Sequence, residues 1–301
     1  MNSEIVIGSR GSDLALWQAN FIKAELEKLG EKVRIQIIKT QGDIIQHLSF
    51  DKMEGKGFFT KELETALRSE EIDLAVHSFK DLETNQPDDL TIAAVSHRAS
   101  PADVLLIKKD AVDENQKWNL KPNPIVGTSS ARRKVQLLHH RPDVSIRDIR
   151  GNVPTRIGKL RDLDFDAIVL AKAGMDRLKV DVSDLHVFEF NPKEFVSAPA
   201  QGVLACQTRT SDKRLIDVLN KVNQPEVSEL VSVERKILNM FHGGCQMPLG
   251  AYCIEESGKY RVWAAMADTS AGPLRSVHLE ADDVKTLAQD AVDQLKKKEQ
   301  A

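Results

Sequence analysis

The fold class follows from the stretch PIVGTSSARR at residues 124–133, in which a short apolar strand leads directly into the first turn of a helix. The same order is found at residues 5–30, where an apolar strand precedes a helix with one apolar face that ends at Gly30, and again at 144–163. Further segments typical of strands lie at 73–79, 90–95 and 167–171, and segments typical of helices lie at about 61–68 and at 131–140. Repeated alternation of strands and helices predicts an α/β fold of mostly parallel sheets covered on both faces.

The last third of the chain has a different pattern. A helical segment at about 227–241 is followed by two apolar segments that flank Ser257-Gly258 like the arms of a hairpin. A strand near 277–280 and a helix at 284–296 come after them. This succession predicts a small α+β domain.

The composition is that of an ordinary globular protein. Of the 301 residues, 41% are hydrophobic and 29% are charged, which excludes disordered and fibrous classes. No segment approaches the roughly 20 apolar residues that a membrane helix needs, and the first residues do not resemble a signal peptide. Three cysteines, an odd number, favour a reducing compartment. We therefore expect a cytoplasmic protein that does not associate with membranes.

Basic residues are concentrated in the middle of the chain, although the net charge is -3. Residues 128–161 contain nine Lys and Arg against two Asp, which favours an anionic partner. In TSSARR (128–133), hydroxyls and the N–H groups of a helix N-terminus stand beside two arginines, a combination that binds carboxylates and phosphates. Similar basic turns are GSRGS (8–12) and RGNVPTR (150–156). Simple N-capping by Ser130 is the alternative interpretation, and it is compatible with anion binding.

Cys245 lies in GGCQMP (243–248), whose glycines and proline predict an irregular surface loop that an electrophile can reach. Cys206 and Cys253 lie in apolar segments, and we expect both to be buried. The local sequence leaves two possibilities for Cys245, a reactive thiol or a structural one. A metal site is not expected, because the chain has no second Cys/His pair at zinc spacing to join His242 and Cys245.

Lys80 and Asp81 follow the strand at 73–79, at the carboxyl end where α/β folds place ligands. Among many basic groups, an ionised Asp81 could stabilise a positive charge that forms on a bound substrate. The alternative is a surface ion pair of little energetic weight. Residues 41–60 have no clear period and contain three glycines, Gly42, Gly55 and Gly57, so we treat them as a candidate lid.

Six motifs together resemble the porphobilinogen deaminase family. In chain order they are RGS (10–12) with LALWQA (14–19), GKGFF (55–59), VHSFKD (76–81), GTSSARR (127–133), RGNVPTR (150–156) and GGCQMPLG (243–250). The resemblance extends from about residue 4 to the end of the chain, with the motifs in the family's order and spacing.

The resemblance implies a transferase of haem and other tetrapyrrole biosynthesis, which condenses four porphobilinogen molecules head to tail into hydroxymethylbilane with loss of ammonia. It also implies a dipyrromethane cofactor, bound through a thioether to Cys245, and a catalytic Asp81 that steadies the cation formed as the aminomethyl group leaves. Besides Cys245 and Asp81, the family's cofactor-binding residues correspond to Ser12, Lys80, Thr128, Ser129, Ser130, Arg132, Arg133 and Arg150. Its substrate-binding residues correspond to Arg10, Gln18, Arg150 and Arg156, and to Lys52, Lys56 and Phe59 on the family's mobile loop. Each pyrrole ring carries an acetate and a propionate, and arginines bind such groups with charge-assisted, often bidentate hydrogen bonds.

The resemblance implies three domains, of which the first two are α/β and like the halves of a type II periplasmic binding protein. Domain 1, at 1–98 with 197–221, would carry Asp81 and the mobile loop. Domain 2, at 99–196, would carry the basic turns, and the small α+β domain 3, at 222–301, the cysteine loop. The family expectation is a monomer that acts on a small-molecule substrate, without metal, nucleic acid, membrane or obligate protein partner.

Three short departures from the family pattern bear on hinge geometry and rate. Ala200-Gln201-Gly202 stands where the family usually has Gly-Gln-Gly, so a position tolerant of positive φ is replaced. Gln207 stands where a glutamate is usual, and Leu82-Glu83 replaces Val-Pro after Asp81.

Two other functions are compatible with parts of the sequence. A solute-binding module of the same architecture would use the same helix N-termini but would have no use for Cys245. A nucleic-acid binder could use the basic segment at 128–161, but the net charge of -3 and the lack of aromatic residues among the basic ones disfavour it.

Overall fold

The computed structural model describes residues 4–39, 60–242 and 247–297. Within these ranges the chain forms two compact units. Unit 1 comprises Met1–Ala99 and Gly202–Glu229, and unit 2 comprises Ser100–Gln201 and Leu230–Ala301.

The described strands and helices are numbered in chain order. The strands are β1 (Ile5–Ser9), β2 (Val33–Ile37), β3 (Leu74–Ser78), β4 (Leu90–Val95), β5 (Asp103–Lys108), β6 (Ile125–Gly127), β7 (Ser145–Arg147), β8 (Ala167–Ala171), β9 (Leu185–Glu189), β10 (Leu204–Arg209), β11 (Leu249–Glu256), β12 (Lys259–Met266) and β13 (Arg275–Ala281). The helices are α1 (Asp13–Lys28), α2 (Lys61–Arg68), α3 (Ala131–His140), α4 (Val153–Asp162), α5 (Lys172–Leu178), α6 (Lys213–Asn220), α7 (Pro225–Met240) and α8 (Leu287–Lys297).

Unit 1 is built on a mixed five-stranded sheet with the order β2-β1-β3-β10-β4. β1 runs parallel to β2 and β3, whereas β10 lies between β3 and β4 and runs antiparallel to both. Because side chains alternate along a strand, Leu74 and Val76 of β3 pack on one face against α1 and α6, and Ala75 packs on the other against α2. Helices therefore cover both faces, as the sequence predicts.

Unit 2 contains a second five-stranded sheet with the order β7-β6-β8-β5-β9. β6 runs parallel to β7 and β8, and β5 runs antiparallel to β8 and β9. One face carries an aromatic cluster in which the rings of Phe190 and Phe195 stack 4.2 Å apart, with Trp118 edge-on to both. The other face packs against Ile157 and Leu160 of α4.

A three-stranded antiparallel sheet, β11-β12-β13, forms the remaining part of unit 2. One face packs on α7 and α8 and has a hydrophobic core of its own. The buried carboxylate of Glu234, on α7, accepts hydrogen bonds from the backbone N–H of Cys253 at 2.8 Å and of Ala200 at 2.7 Å. Ala200 has a φ of 60°, so the chain keeps a left-handed conformation there even though alanine replaces the family's usual glycine. The three-domain boundaries stay a prediction.

The predicted fold class, α/β with a small α+β part, is confirmed. Four elements have the predicted bounds: α2, α3, β4 and β8. The sequence patterns did not reveal β5, β9, β10, α5 and α6. The missed strands are the ones that run antiparallel within otherwise parallel sheets or lie at a sheet edge, and their partners are distant in sequence.

Among the described residues, no helix has the length and apolar character required to cross a membrane.

Candidate active site

In unit 1, two of the predicted site segments lie at the same edge of the sheet. β1 and β3 are adjacent parallel strands, so the turn that carries Arg10 and the turn that carries Lys80 and Asp81 leave from the same edge. Lys80 and Asp81 belong to a single 3-10 turn, and the side chain of Asp81 is exposed. This turn is held at both ends, since the N–H of Phe79 donates to the carbonyl of Val203 at 2.9 Å and Leu82 is buried.

α1 supplies two of the predicted residues to this edge. Ser12 caps the helix, and its Oγ accepts a hydrogen bond from the N–H of Ala15 at 3.4 Å. Gln18 is buried and donates from Nε2 to Oγ of Ser78, the last residue of β3, at 2.7 Å. Gln18 therefore supports the strand that precedes Lys80 and Asp81.

In unit 2, the segment after β6 and the segment after β7 are tied together. The N–H of Thr128 donates to the carbonyl of Arg147 at 3.0 Å. Oγ of Ser129 both donates to the carbonyl of Ile149 and accepts from its N–H, each at 3.1 Å. The hydroxyl-rich turn at 128–130 and the segment that leads to Arg150 are thus joined.

The N-terminus of α3 differs from those of α1 and α4. Ser130 occupies the N-cap position but makes no capping hydrogen bond with its side chain, and no acidic residue lies in the first turn. In α4, by contrast, Oδ1 of Asn152 accepts from the N–H of Thr155 at 2.9 Å. The alternative interpretation, in which Ser130 is a simple cap, is therefore wrong. The positive end of α3 is suited to an anion.

The turn at 150–151 gathers basic side chains. Gly151 has a φ of 119°, and a Cβ at this position would lie 2.5 Å from Cγ2 of Thr155, so glycine is required here. Arg156 donates from Nε to the carbonyl of Gly151 at 2.7 Å, and Lys159 donates from Nζ to the carbonyl of Arg150 at 2.9 Å. These hydrogen bonds hold the charged ends of two cations against the turn.

Other basic residues of the segment 128–161 form ion pairs within the protein. Arg132 and Arg133 pair with Asp103, Lys134 with Asp148, Arg141 with Asp143, Arg147 with Asp164, and Arg161 with Asp184. Much of the positive charge that the sequence concentrates in this segment is therefore balanced by acidic side chains of the same protein.

Arg132 and Arg133, predicted to bind ligand carboxylates, are both buried and share Asp103, each at 2.8 Å. Gln201 also donates to this carboxylate, at 2.9 Å. Burial alone would raise the pKa of Asp103, but the two guanidiniums and the hydrogen bonds from Arg133 and Gln201 outweigh it and hold that pKa well below its usual range. The arrangement orients both arginines, and their contact with a ligand stays a prediction.

Four of the predicted site residues, Cys245, Lys52, Lys56 and Phe59, lie outside the described residues. The other two cysteines are buried, as predicted. Burial raises the pKa of the Cys206 thiol to about 12, so this thiol does not ionise at neutral pH.

Sequence reasoning missed several residues that support or extend the site. Asp103 and Gln201 hold Arg132 and Arg133, but nothing in their local sequence distinguishes them from ordinary polar residues. Arg177, on α5 after β8, has a pKa lowered to about 10 because of burial. A desolvated arginine beyond the carboxyl end of a central strand is a further candidate for anion binding. The sequence feature that could have identified Arg177 was its position shortly after the apolar segment at 167–171.

Comparison with protein families gives one match that covers most of the chain. The family model described as "Porphobilinogen deaminase, dipyromethane cofactor binding domain" matches residues 5–217. Among curated proteins, the chain is 42% identical over 247 residues to a porphobilinogen deaminase of Nitratiruptor sp., covering 82% of this chain and 77% of the relative. It is 38% identical over 297 residues to that of Francisella tularensis subsp. tularensis, covering 96% of both chains.

Solved structures with low sequence identity were also found. The periplasmic VFT2 domain of BvgS from Bordetella pertussis has a TM-score of 0.45 and 12% identity, covering 77% of this chain and 93% of that one. An arginine-specific periplasmic binding protein of Salmonella typhimurium has a TM-score of 0.40 and 10% identity, covering 75% and 93%.

Proposed function

The chain belongs to the porphobilinogen deaminase family, and from this premise we propose that it condenses four porphobilinogen molecules into hydroxymethylbilane, starting from a dipyrromethane primer on Cys245. The observation that carries the proposal is the N-terminus of α3, where the side chain of Ser130 makes no capping hydrogen bond and the first turn contains two arginines and no acidic residue. A ligand rich in carboxylates matches this donor set.

The residues present fit the dipyrromethane group. Its acetate and propionate side chains need several hydrogen-bond donors and cations at one sheet edge, and unit 2 offers the turn at 128–130 beside Arg150. We assign the holding of these carboxylates to Thr128, Ser129, Ser130, Arg132, Arg133 and Arg150. Ser12 and Lys80 are assigned to the same task by the family resemblance alone. When bound, the group supplies the pyrrole carbon to which the incoming substrate is joined.

Substrate binding is assigned to residues that flank this donor set. Arg10, directly after β1, and Arg156, in the first half of α4, would bind the acetate and propionate of porphobilinogen. Gln18 acts by supporting Ser78. Lys52, Lys56 and Phe59 are assigned to the same task by the family resemblance alone.

Asp81 is assigned the catalytic role. Its carboxylate lies on a turn whose ends are fixed by Phe79 and Leu82, so the charge is preorganised. A preorganised carboxylate stabilises the positive charge that develops as ammonia leaves and accepts hydrogen bonds from pyrrole N–H groups. We further propose that the protein works in the cytoplasm as a monomer with three domains and has no nucleic-acid partner.

The mass of the intact denatured chain, expressed in cells that make porphobilinogen, tests this function. We expect an excess equal to a two-pyrrole unit, absent in Cys245→Ser and retained in the matched variant Cys253→Ala, whose cysteine is buried. An unmodified wild-type mass that incubation with porphobilinogen does not change would favour the solute-binding alternative.

Asp81→Asn tests the catalytic assignment separately. Because the amide removes the charge but keeps the shape, we expect the adduct to form while turnover falls by about two orders of magnitude or more. Asp88→Asn, an exposed aspartate in the same unit, is the control and should turn over normally. Normal turnover in Asp81→Asn would remove Asp81 from the catalytic role.

A further inference from the structure

A buried glutamine of α3, Gln136, binds both polar groups of the Val196 backbone. Its Oε1 accepts from the N–H of Val196 at 2.6 Å, and its Nε2 donates to the carbonyl of Val196 at 2.9 Å. Because a backbone N–H only donates and a carbonyl only accepts, these partners fix the orientation of the side-chain amide. Two hydrogen bonds of opposite direction hold the Val196 backbone in one position relative to α3.

The carbonyl of Val196 also accepts a hydrogen bond from Arg132. Nη1 of Arg132 donates to it at 2.8 Å, and Nη2 forms an ion pair with Asp103 at 2.8 Å. Arg132 and Gln136 are one helical turn apart on α3, so their side chains project from the same side of the helix. The guanidinium is thus held between the Val196 carbonyl and the Asp103 carboxylate. A guanidinium has more N–H groups than these two contacts use, so donors remain for a ligand.

The segment 196–201, which lies outside the described strands and helices, is bound to the small sheet as well. The N–H of Ala251, on β11, donates to the carbonyl of Ser197 at 3.0 Å. A Cβ at Gly250 would lie 2.5 Å from the carbonyl oxygen of Val196, so the two backbones are in close contact. Val196 therefore links the helix that carries Arg132 to β11, the strand that follows Cys245 in the chain.

Burial makes this link sensitive to the loss of Gln136. A buried N–H without an acceptor costs free energy comparable to a lost hydrogen bond. Without Gln136, the backbone of Val196 would have to move toward another acceptor, and its carbonyl would move with it. Arg132 would then lose one of the two groups that hold its guanidinium.

We propose that Gln136 is a positioning residue for the covalently bound dipyrromethane. By holding the Val196 carbonyl beside Arg132, it fixes the direction in which the guanidinium meets the carboxylates of the group. Gln136 acts through Arg132, since its own side chain is buried and bound to the backbone. This inference rests on the proposed role of Arg132 in holding those carboxylates.

Gln136→Met tests the proposal, because it keeps the length and packing of the side chain but removes both hydrogen bonds. In apoprotein from cells that make no porphobilinogen, we expect added porphobilinogen to load the two-pyrrole unit about tenfold more slowly. In the loaded enzyme we expect kcat to fall about tenfold and KM to change by less than about threefold. The KM should be spared because Arg132 is assigned to the bound group and not to the incoming substrate.

The control is Leu295→Ala, which loses packing in the core between the small sheet and α8. It should be less stable than wild type but should load and turn over normally below its melting temperature. Normal loading and normal kcat in Gln136→Met would overturn the positioning role, even if that variant also melts at a lower temperature. If Gln136→Met does not fold, Gln136→Asn replaces it, because asparagine stays polar but is too short to reach both groups of Val196.

A spectroscopic readout on the apoprotein does not depend on turnover. With nitrogen-15-labelled arginine, the signals missing from Arg132→Lys belong to Arg132. A guanidinium held at both Nη atoms rotates slowly, so we expect two separate Nη signals in wild type and Leu295→Ala, and one averaged signal in Gln136→Met. An averaged signal in wild type, or separate signals in Gln136→Met, would contradict the inference. If wild-type apoprotein takes up no porphobilinogen, the proposed function fails while these signals still test how Arg132 is held.

Discussion

Among single residues, His77 links stability to pH. Its folded pKa of about 4 lies below the ordinary value of 6.5, chiefly because of burial. Between these values the unfolded chain binds a proton that the folded chain does not, so the free energy of unfolding decreases as pH falls and is constant above pH 6.5. The decrease attributable to His77 should reach roughly 2 kcal/mol at pH 5 relative to pH 8.

Urea denaturation of wild type and His77→Gln at several pH values measures this contribution. Carboxylates that titrate in the same range affect both proteins equally, so the difference between their unfolding free energies isolates His77. We expect wild type to lose stability more steeply below pH 6.5. Parallel curves would mean that the imidazole is accessible to solvent or paired with a carboxylate.

At the level of secondary-structure elements, the two serines that precede α3 differ in role. Ser129 is structural, and Ser130 is the one proposed to bind the ligand. Ser129 exchanges two hydrogen bonds with the backbone of Ile149, so Ser129→Ala should destabilise the protein by about 1–2 kcal/mol. Ser130 makes no capping bond, so Ser130→Ala should change the unfolding free energy by less than about 0.5 kcal/mol. Ser130→Ala should instead raise the KM for porphobilinogen severalfold.

Chemical denaturation and steady-state kinetics on the two serine variants check this division. They are matched in chemistry and adjacent in sequence, and each serves as the control for the other. Equal destabilisation by both would show that Ser130 does cap the helix.

For the whole molecule, the balance of charge predicts how the covalent group affects stability. Arg156 and Lys159 hold their cationic ends against the 150–151 turn, and carboxylates bound there would gain favourable charge interactions with them. Cys245→Ser, which cannot hold the group, should therefore melt roughly 5 °C below wild type at low salt. The difference should shrink at high salt, because screening weakens the attraction.

Calorimetry at two salt concentrations measures the effect. Asp81→Asn is the control, since we expect it to carry the group and to melt with wild type. A melting temperature of Cys245→Ser equal to that of wild type at low salt would mean that the basic turn does not depend on the bound carboxylates.

The sequence by itself determined the features that depend on near neighbours. α2 and α3 have the predicted bounds because helical hydrogen bonds and apolar periodicity act over three or four residues. The basic turns, including the one that requires Gly151, were recognisable because turn geometry restricts residue type locally. The family motifs identified Asp81 and Cys245 as candidates, and their roles stay predictions.

Tertiary structure decided which distant residues meet. The antiparallel insertion of β10 between β3 and β4 brings Gln207 to His77, and the packing of α3 brings Arg132 and Arg133 to Asp103. Neither contact has a local signal, because a hydrogen bond or an ion pair depends on separation in space and not on separation along the chain. Burial then determines how strongly these groups interact, since the same charged groups would be hydrated and nearly independent of one another at the surface.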